Sequence, residues 1–192
     1  MATKTVYVLL RNGYADWEPA SAMAELRRTF GFSVQTIGLT AEPIISMGGL
    51  KIVPDISLSD FAPQLAAILI LAGGDAWMEG EVAKVSDAVN AMISANQPVA
   101  AICAATLALA HAALLDDRQH TSNGRGFIEK YVREYRGQRL YRVSRAVTDR
   151  LVTTANGLSP FAFAAQIFRA LAPEREQDIE TYENLYSRGL LD

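Results

Sequence analysis

Short runs of apolar and β-branched residues, separated by segments of helical pattern, constrain this chain more than any other feature. Residues 5–10, 66–71 and 98–102 are apolar with little interruption, and 33–39 is a fourth such run. A strand with one wet face alternates polar with apolar residues, whereas a strand covered on both faces reads as a continuous apolar run. After the first run, Pro19 opens a pattern in which Ala22, Met23, Leu26 and Phe30 share one helical face, with Gly31 as the stop. Residues 82–95 predict another helix, and 104–115 suit a helix of small residues packed closely on a sheet. Apolar strands alternating with helices predict a parallel, doubly wound α/β sheet. With 192 residues, the chain has the length of a single domain spanning 1–192.

Smaller elements fill the rest. Residues 44–53 contain Gly48-Gly49 and predict a hairpin or irregular extension. Residues 120–123 predict a short strand, and 142–144 with 151–154 a strand pair flanking a turn at Thr148-Asp149. Two last helices are expected at 160–171 and about 174–188.

Charge and cysteine content narrow the function classes. Lys and Arg number 18 against 21 Asp and Glu, a formal net charge of −3, which is no electrostatic footprint for nucleic acid. The spaced arginines Arg133, Arg136, Arg139, Arg142 and Arg145 read as a solvated face. No stretch is long and uninterrupted enough to span a bilayer, so no membrane partner is expected. Residues 1–10 lack the pattern of a signal peptide, and a cytoplasmic setting is expected. One cysteine excludes an intramolecular disulfide. Two histidines and that cysteine leave no structural zinc set, and no complete dinucleotide fingerprint is present, so neither metal nor cofactor is expected.

Ligands of doubly wound sheets bind beyond the carboxyl ends of the strands, where the strand order switches. Three strand ends carry residues with chemistry. The first leads to Tyr14-Ala15-Asp16-Trp17-Glu18-Pro19, the second to Ala72-Gly73-Gly74-Asp75, and the third to Ile102-Cys103-Ala104-Ala105. Cys103 lies where an apolar strand meets a helix of small residues, the strand–turn–helix arrangement of a nucleophile elbow. A helix N-terminus there favours the thiolate, which predicts a depressed thiol pKa. Taken alone, a buried cysteine more often packs as a small hydrophobe than reacts. Paired glycines can turn backbone N–H groups into the cleft, though they also serve ordinary turns. Glu18 precedes a proline, which disfavours helical backbone and predicts a place just outside the first helix, near the cleft.

In order and spacing, Gly13 to Glu18, Val53-Pro54-Asp55, Leu71-Ala72-Gly73-Gly74, Ala101-Ile102-Cys103-Ala104 and Thr154-Ala155-Asn156-Gly157 resemble the ThiJ/PfpI family of the class I glutamine amidotransferase-like superfamily. The resemblance covers roughly residues 4–171. It implies a flavodoxin-like, doubly wound, mostly parallel sheet with helices on both faces and a nucleophile elbow. It also implies that Cys103 is the nucleophile, that Glu18 hydrogen-bonds its sulfur, and that the N–H groups of Gly74 and Ala104, supported by Gly73, form an oxyanion hole. A protonated Glu18 donating to the sulfur would favour the thiolate, so the depressed thiol pKa is expected from Glu18 together with the helix terminus. A homodimer is implied as well.

The pattern departs from the family in its histidine. Many members carry His directly after the cysteine, or about twenty residues later. Here those places hold Ala104 and Asn123. An amide orients and hydrogen-bonds but is no general base. His120, three residues before Asn123, would point to the opposite face of a strand. His111, about 12 Å along a helix from Cys103, is too far. The expected function is a cysteine-dependent enzyme, hydrolase- or glyoxalase-like, acting on a small carbonyl or amide compound. The alternatives are a redox-responsive stress protein oxidised at Cys103 and a non-catalytic small-molecule binder.

Overall fold

The computed structural model describes residues 5–80 and 82–189. The first apolar run forms β1 (Thr5–Leu9), and α1 (Trp17–Arg28) carries the chain back to a parallel β2 (Ser33–Gly38). The glycine pair sits in an antiparallel hairpin of β3 (Ile44–Ile45) and β4 (Lys51–Ile52), and β5 (Ile56–Ser57) extends the sheet beside β2. β6 (Ala66–Leu71) then pairs with the other side of β1. The chain continues through α2 (Ala76–Glu79), α3 (Val82–Ser94), β7 (Val99–Ile102), α4 (Thr106–His111) and α5 (Phe127–Tyr131). β8 (Ala146–Asp149), β9 (Val152–Ala155), α6 (Pro160–Leu171) and α7 (Glu176–Arg188) close it.

The seven strands lie in the order β5-β2-β1-β6-β7-β9-β8, all parallel except β8, which runs against β9. The order reverses beside β1, and β6 beyond it is buried at all six positions. Strand side chains alternate between two cores. Val8, Ile70, Ala100 and Ile102 pack toward Leu26, Phe168 and Ile179 of α1, α6 and α7. Leu9, Leu71, Val99 and Ala101 pack toward Val85, Met92 and Leu107 of α3 and α4. The doubly wound, mostly parallel sheet read from the pattern is the one observed. Among the described residues, no helix is long and apolar enough to cross a membrane.

Four local expectations need correction. The helix foreseen over 104–115 is broken into a 3-10 turn, Cys103–Ala105, and the six-residue α4. It ends because Ala113 takes a left-handed backbone (φ 56°) and the Leu114 N–H donates back to the Leu109 carbonyl. Residues 120–123 form no strand, only a single bridge from His120 to Tyr141, since the Thr121 N–H donates to the Thr154 hydroxyl and not to a ladder carbonyl. The late strand pair is β8 with β9, not 142–144, and its turn falls at Arg150 (φ 55°) and Leu151. Finally, α1 starts at Trp17, so Glu18 lies inside its first turn. Pro19 is tolerated there because its missing N–H belongs to a helix's unpaired first donors.

Candidate active site

The carboxyl ends of β1, β6, β7 and β9 converge beside the point where the strand order reverses. Cys103 follows β7 directly with φ 60°, a left-handed conformation that a non-glycine residue holds only when its surroundings enforce it. The enforcing contacts are local. Thr106 Oγ1 donates to the Cys103 carbonyl at 2.7 Å, and the small Ala104 and Ala105 are buried beneath the turn.

Glu18 reaches this turn from the first turn of α1 and is 1% exposed. Its Oε2 accepts the Gly73 N–H at 2.8 Å, and its carboxylate accepts the Cys103 thiol. Gly73 must be glycine, because a Cβ there would lie 2.3 Å from Glu18 Oε2 and 2.6 Å from Cys103 Cβ. Gly74 adopts φ 152°, and a Cβ on it would lie 2.5 Å from the Gly13 carbonyl oxygen. The Gly73 N–H is thus engaged with Glu18, while the Ala104 N–H points at the sulfur of Cys103.

Asn123 completes the group. Its Nδ2 donates to Cys103 Sγ at 3.0 Å, and its Oδ1 accepts the Gly157 N–H at 3.0 Å. The second bond fixes the amide's orientation, since a backbone N–H can meet only the oxygen end. His120 is fully buried and turned away. Its Nδ1 faces the Arg118 carbonyl at 2.8 Å, which places the proton on Nδ1, so Nε2 accepts from the Tyr135 hydroxyl. His111 is exposed at the end of α4. Neither histidine reaches the sulfur.

The electrostatics overturn the expected depressed thiol. Burial pushes Glu18 up to about 7, against the opposing hydrogen bonds from the Cys103 thiol and the Gly73 N–H. Burial also pushes Cys103 up to about 11. The Glu18 charge adds to that rise, while donation from Asn123 and the Ala104 N–H only partly offsets it. The helix terminus invoked from the sequence is weak here, because regular helix begins three residues later at Thr106 and lasts six residues. Two largely buried acids in contact disfavour a double negative charge, so the pair keeps a proton between them through neutral pH.

Above the pair lies a cavity of about 560 Å³. Besides Glu18, Cys103 and Asn123 it is lined by Trp17 and Gly157, which lie in motifs read from the sequence without a role of their own, and by Tyr141, Val143 and Leu158, which the sequence did not single out. Gly157 stands two residues beyond the end of β9, in the same strand-end layer as Cys103. A Cβ on Gly157 would lie 2.9 Å from Cys103 Sγ and 3.0 Å from Glu18 Oε1. Those neighbours are side-chain ends, so Gly157→Ala is expected to leave the melting temperature within a few degrees while displacing the pair. Alkylation of Cys103 by iodoacetamide, followed by mass spectrometry, should slow at least about tenfold.

The chain matches the DJ-1/PfpI family over residues 4–170. It is 34% identical over 178 residues to the Uncharacterized protease YoaZ of Bacillus subtilis (strain 168), covering 89% of this chain and 85% of that protein. Among solved structures it is similar to the thiJ/pfpI family protein from Bacillus anthracis, with a TM-score of 0.89 and 32% identity over 97% of this chain and 91% of that one. The DJ-1 superfamily protein Atu0886 from Agrobacterium tumefaciens has a TM-score of 0.86 and 33% identity, covering 95% of this chain and 99% of its own.

Proposed function

Because the chain belongs to the DJ-1/PfpI family, we propose that it is a cysteine-dependent enzyme attacking a small carbonyl or amide compound through Cys103. The observation that carries this reading is the buried Glu18–Cys103 pair at the strained apex after β7. With Glu18 raised to about 7, its carboxylate is matched to take the thiol proton near neutral pH. The nucleophile elbow then works without a preformed thiolate. As the carbon–sulfur bond forms, the proton moves from Sγ to Glu18 and the carbonyl π pair moves to oxygen. The N–H groups of Gly74 and Ala104 are the proposed oxyanion donors. Glu18 then returns its proton to the oxyanion, giving a thiohemiacetal, or to the leaving nitrogen of an amide, giving a thioester. Asn123 holds the sulfur in place and moves no proton.

Purified protein mixed with methylglyoxal, or with a 4-nitroanilide, is expected to show a Cys103 adduct by mass spectrometry and repeated turnover that Cys103→Ser abolishes. A protein that forms no adduct and turns over neither compound would overturn the reading. With Asn123 in the base position, release of a thioester to water is slow. Asn123→His is expected to raise hydrolysis of 4-nitrophenyl acetate at least about tenfold, read as faster decay of the acyl-enzyme.

One observation favours oxidation of Cys103 by a peroxide, two equivalents of which carry the thiol through a sulfenic acid to a sulfinate, as a second reading. The Asn123 amide and the Ala104 N–H already donate to the sulfur, and protonated Glu18 can add a third bond, so a sulfinate there would be held by three donors. Lacking a second cysteine, the chain cannot convert a sulfenic acid to an internal disulfide. A homodimer is part of the proposal, supported by the family resemblance and by exposed Ile45, Met47, Leu50 and Val53 on and beside the β3–β4 hairpin. A small-molecule substrate, a stress-response role and a cytoplasmic setting rest on the resemblance and on the sequence.

A further inference from the structure

The mouth of the Cys103 cavity has an unusual balance of side chains. Trp17, Val143 and Leu158 stand around it and are 51%, 82% and 96% exposed. A single exposed apolar side chain is ordinary, but three around one cavity form a patch with a use. They come from three separate places, the first turn of α1, the segment before β8 and the segment after β9. No single element's amphipathic face accounts for them.

The hydroxyl and amide side chains of the wall already have partners within the protein. Thr121 Oγ1 donates to the Ser144 carbonyl at 3.1 Å, and Ser144 Oγ donates to the Ala146 carbonyl at 3.0 Å. The Tyr141 hydroxyl donates to the Ser122 carbonyl at 3.1 Å. Asn156 uses its Nδ2 on the Ser144 carbonyl and its Oδ1 on the Leu158 N–H. A polar substrate arm would therefore exchange its water for groups that already have partners, which disfavours it.

Charge points the same way. Glu18 is the one charged residue among the described residues lining the cavity, and none of them is Lys, Arg or His. Arg125, 5.5 Å over the Tyr141 ring, and Arg145, in an adjoining hollow of about 310 Å³ that shares Leu158, are not in the lining. An anionic compound would approach Glu18 with no cation of the wall to receive it.

We propose that this cavity selects neutral electrophiles whose carbonyl bears an apolar arm of about butyl or phenyl size, laid against Trp17, Val143 and Leu158; this rests on the reading of Cys103 as the nucleophile. A cavity of about 560 Å³ holds such an arm with the carbonyl at the sulfur. Full burial of each added methylene improves binding about fourfold.

N-methyl-, N-butyl- and N-benzyl-chloroacetamide, together with chloroacetate, test this directly. The Cys103 sulfur displaces chloride from each, forming a carbon–sulfur bond as the carbon–chlorine bond breaks and the thiol proton passes to Glu18. Rates are divided by those with glutathione, which removes intrinsic reactivity. The butyl and benzyl reagents are expected to exceed the methyl reagent at least about tenfold and to saturate, with chloroacetate the slowest. Val143→Ser/Leu158→Ser, altering two side chains that are largely in water, should remove most of that advantage at an unchanged melting temperature. Equal normalised rates along the series, or a chloroacetate rate above that of N-methyl-chloroacetamide, would overturn the proposal. An unreactive N-benzylacetamide titrated into Cys103→Ala, followed by ligand-observed NMR against benzoate, separates the two readings. If Cys103 proves inert while N-benzylacetamide binds and benzoate does not, the nucleophile fails and the cavity assignment stands. If N-benzylacetamide does not bind, the cavity assignment fails whatever the thiol does.

Discussion

Glu18→Gln is expected to lower kcat/KM for any carbonyl substrate by about 10²- to 10⁴-fold, the usual contribution of a positioned general base. The glutamine amide keeps the shape and can accept the Gly73 N–H through its oxygen, so the loss reports proton transfer and not collapse of the site. In the unaltered protein, kcat/KM should rise as pH climbs through about 7, where the carboxyl gives up its proton and becomes able to receive the thiol's. The glutamine variant should show no such rise. If kcat/KM keeps the same pH inflection in Glu18→Gln, another group carries the proton.

The same substitution is expected to stabilise the fold at high pH. Folding raises the Glu18 pKa from 4.5 to about 7, so the folded state holds this proton more tightly than the unfolded state does. Stability is therefore lost as pH rises from about 4.5 through 7, and the loss is complete above 7. The displacement corresponds to about 3 kcal/mol. Removing it should raise the melting temperature of Glu18→Gln above that of the unaltered protein by roughly 6–12 °C at pH 8. Below pH 4.5 the carboxyl is protonated in both states, so the gap should close. Parallel thermal melts from pH 4 to 8 check the sign. A variant less stable at pH 8 would mean that the buried carboxylate is better satisfied than its burial implies.

The place of this pair was legible in the sequence, while its electrostatics were not. Uninterrupted apolar runs at 66–71 and 98–102 mark strands covered on both faces, and strand ends in such a sheet are where ligands bind. Those strand ends bring Cys103, Glu18 and Gly73 together on the sequence alone. The family resemblance put Asn123 in the place near the sulfur, and residue alternation put His120 on the opposite face, although 120–123 makes only one bridge and no strand. The thiol's raised pKa was not legible. It depends on how deeply Cys103 and Glu18 are buried together, and on a helix that starts two residues late because the left-handed Cys103 begins a 3-10 turn. Val143, Gly157 and Leu158 reach the cavity from loops that have no periodicity to read. They meet Cys103 across 40 or more residues of chain, a separation that local patterns do not encode.

His120 is where structure and catalysis should come apart most clearly. Its ring is fully buried, meets the rings of Tyr135 and Tyr141 edge to face, and links the Arg118 carbonyl to the Tyr135 hydroxyl. His120→Ala leaves a cavity and a buried tyrosine hydroxyl without its acceptor, a loss of about 2–4 kcal/mol. The melting temperature at pH 7.5 should fall by roughly 4–16 °C. Turnover per folded molecule should stay within about twofold, because no atom of the ring reaches the sulfur. The pH dependence carries a second signature. Burial holds the His120 pKa below 6.5; the charges of Glu129 and Asp116 oppose that shift, and that of Arg142 adds to it. The folded state therefore refuses a proton that the unfolded chain accepts, and this contribution to stability is lost as pH falls below 6.5. His120→Ala lacks that loss, so the difference between the two proteins should shrink as melts are taken from pH 7.5 toward 5. Were turnover abolished in His120→Ala at an unchanged melting temperature, His120 and not Glu18 would be the working base.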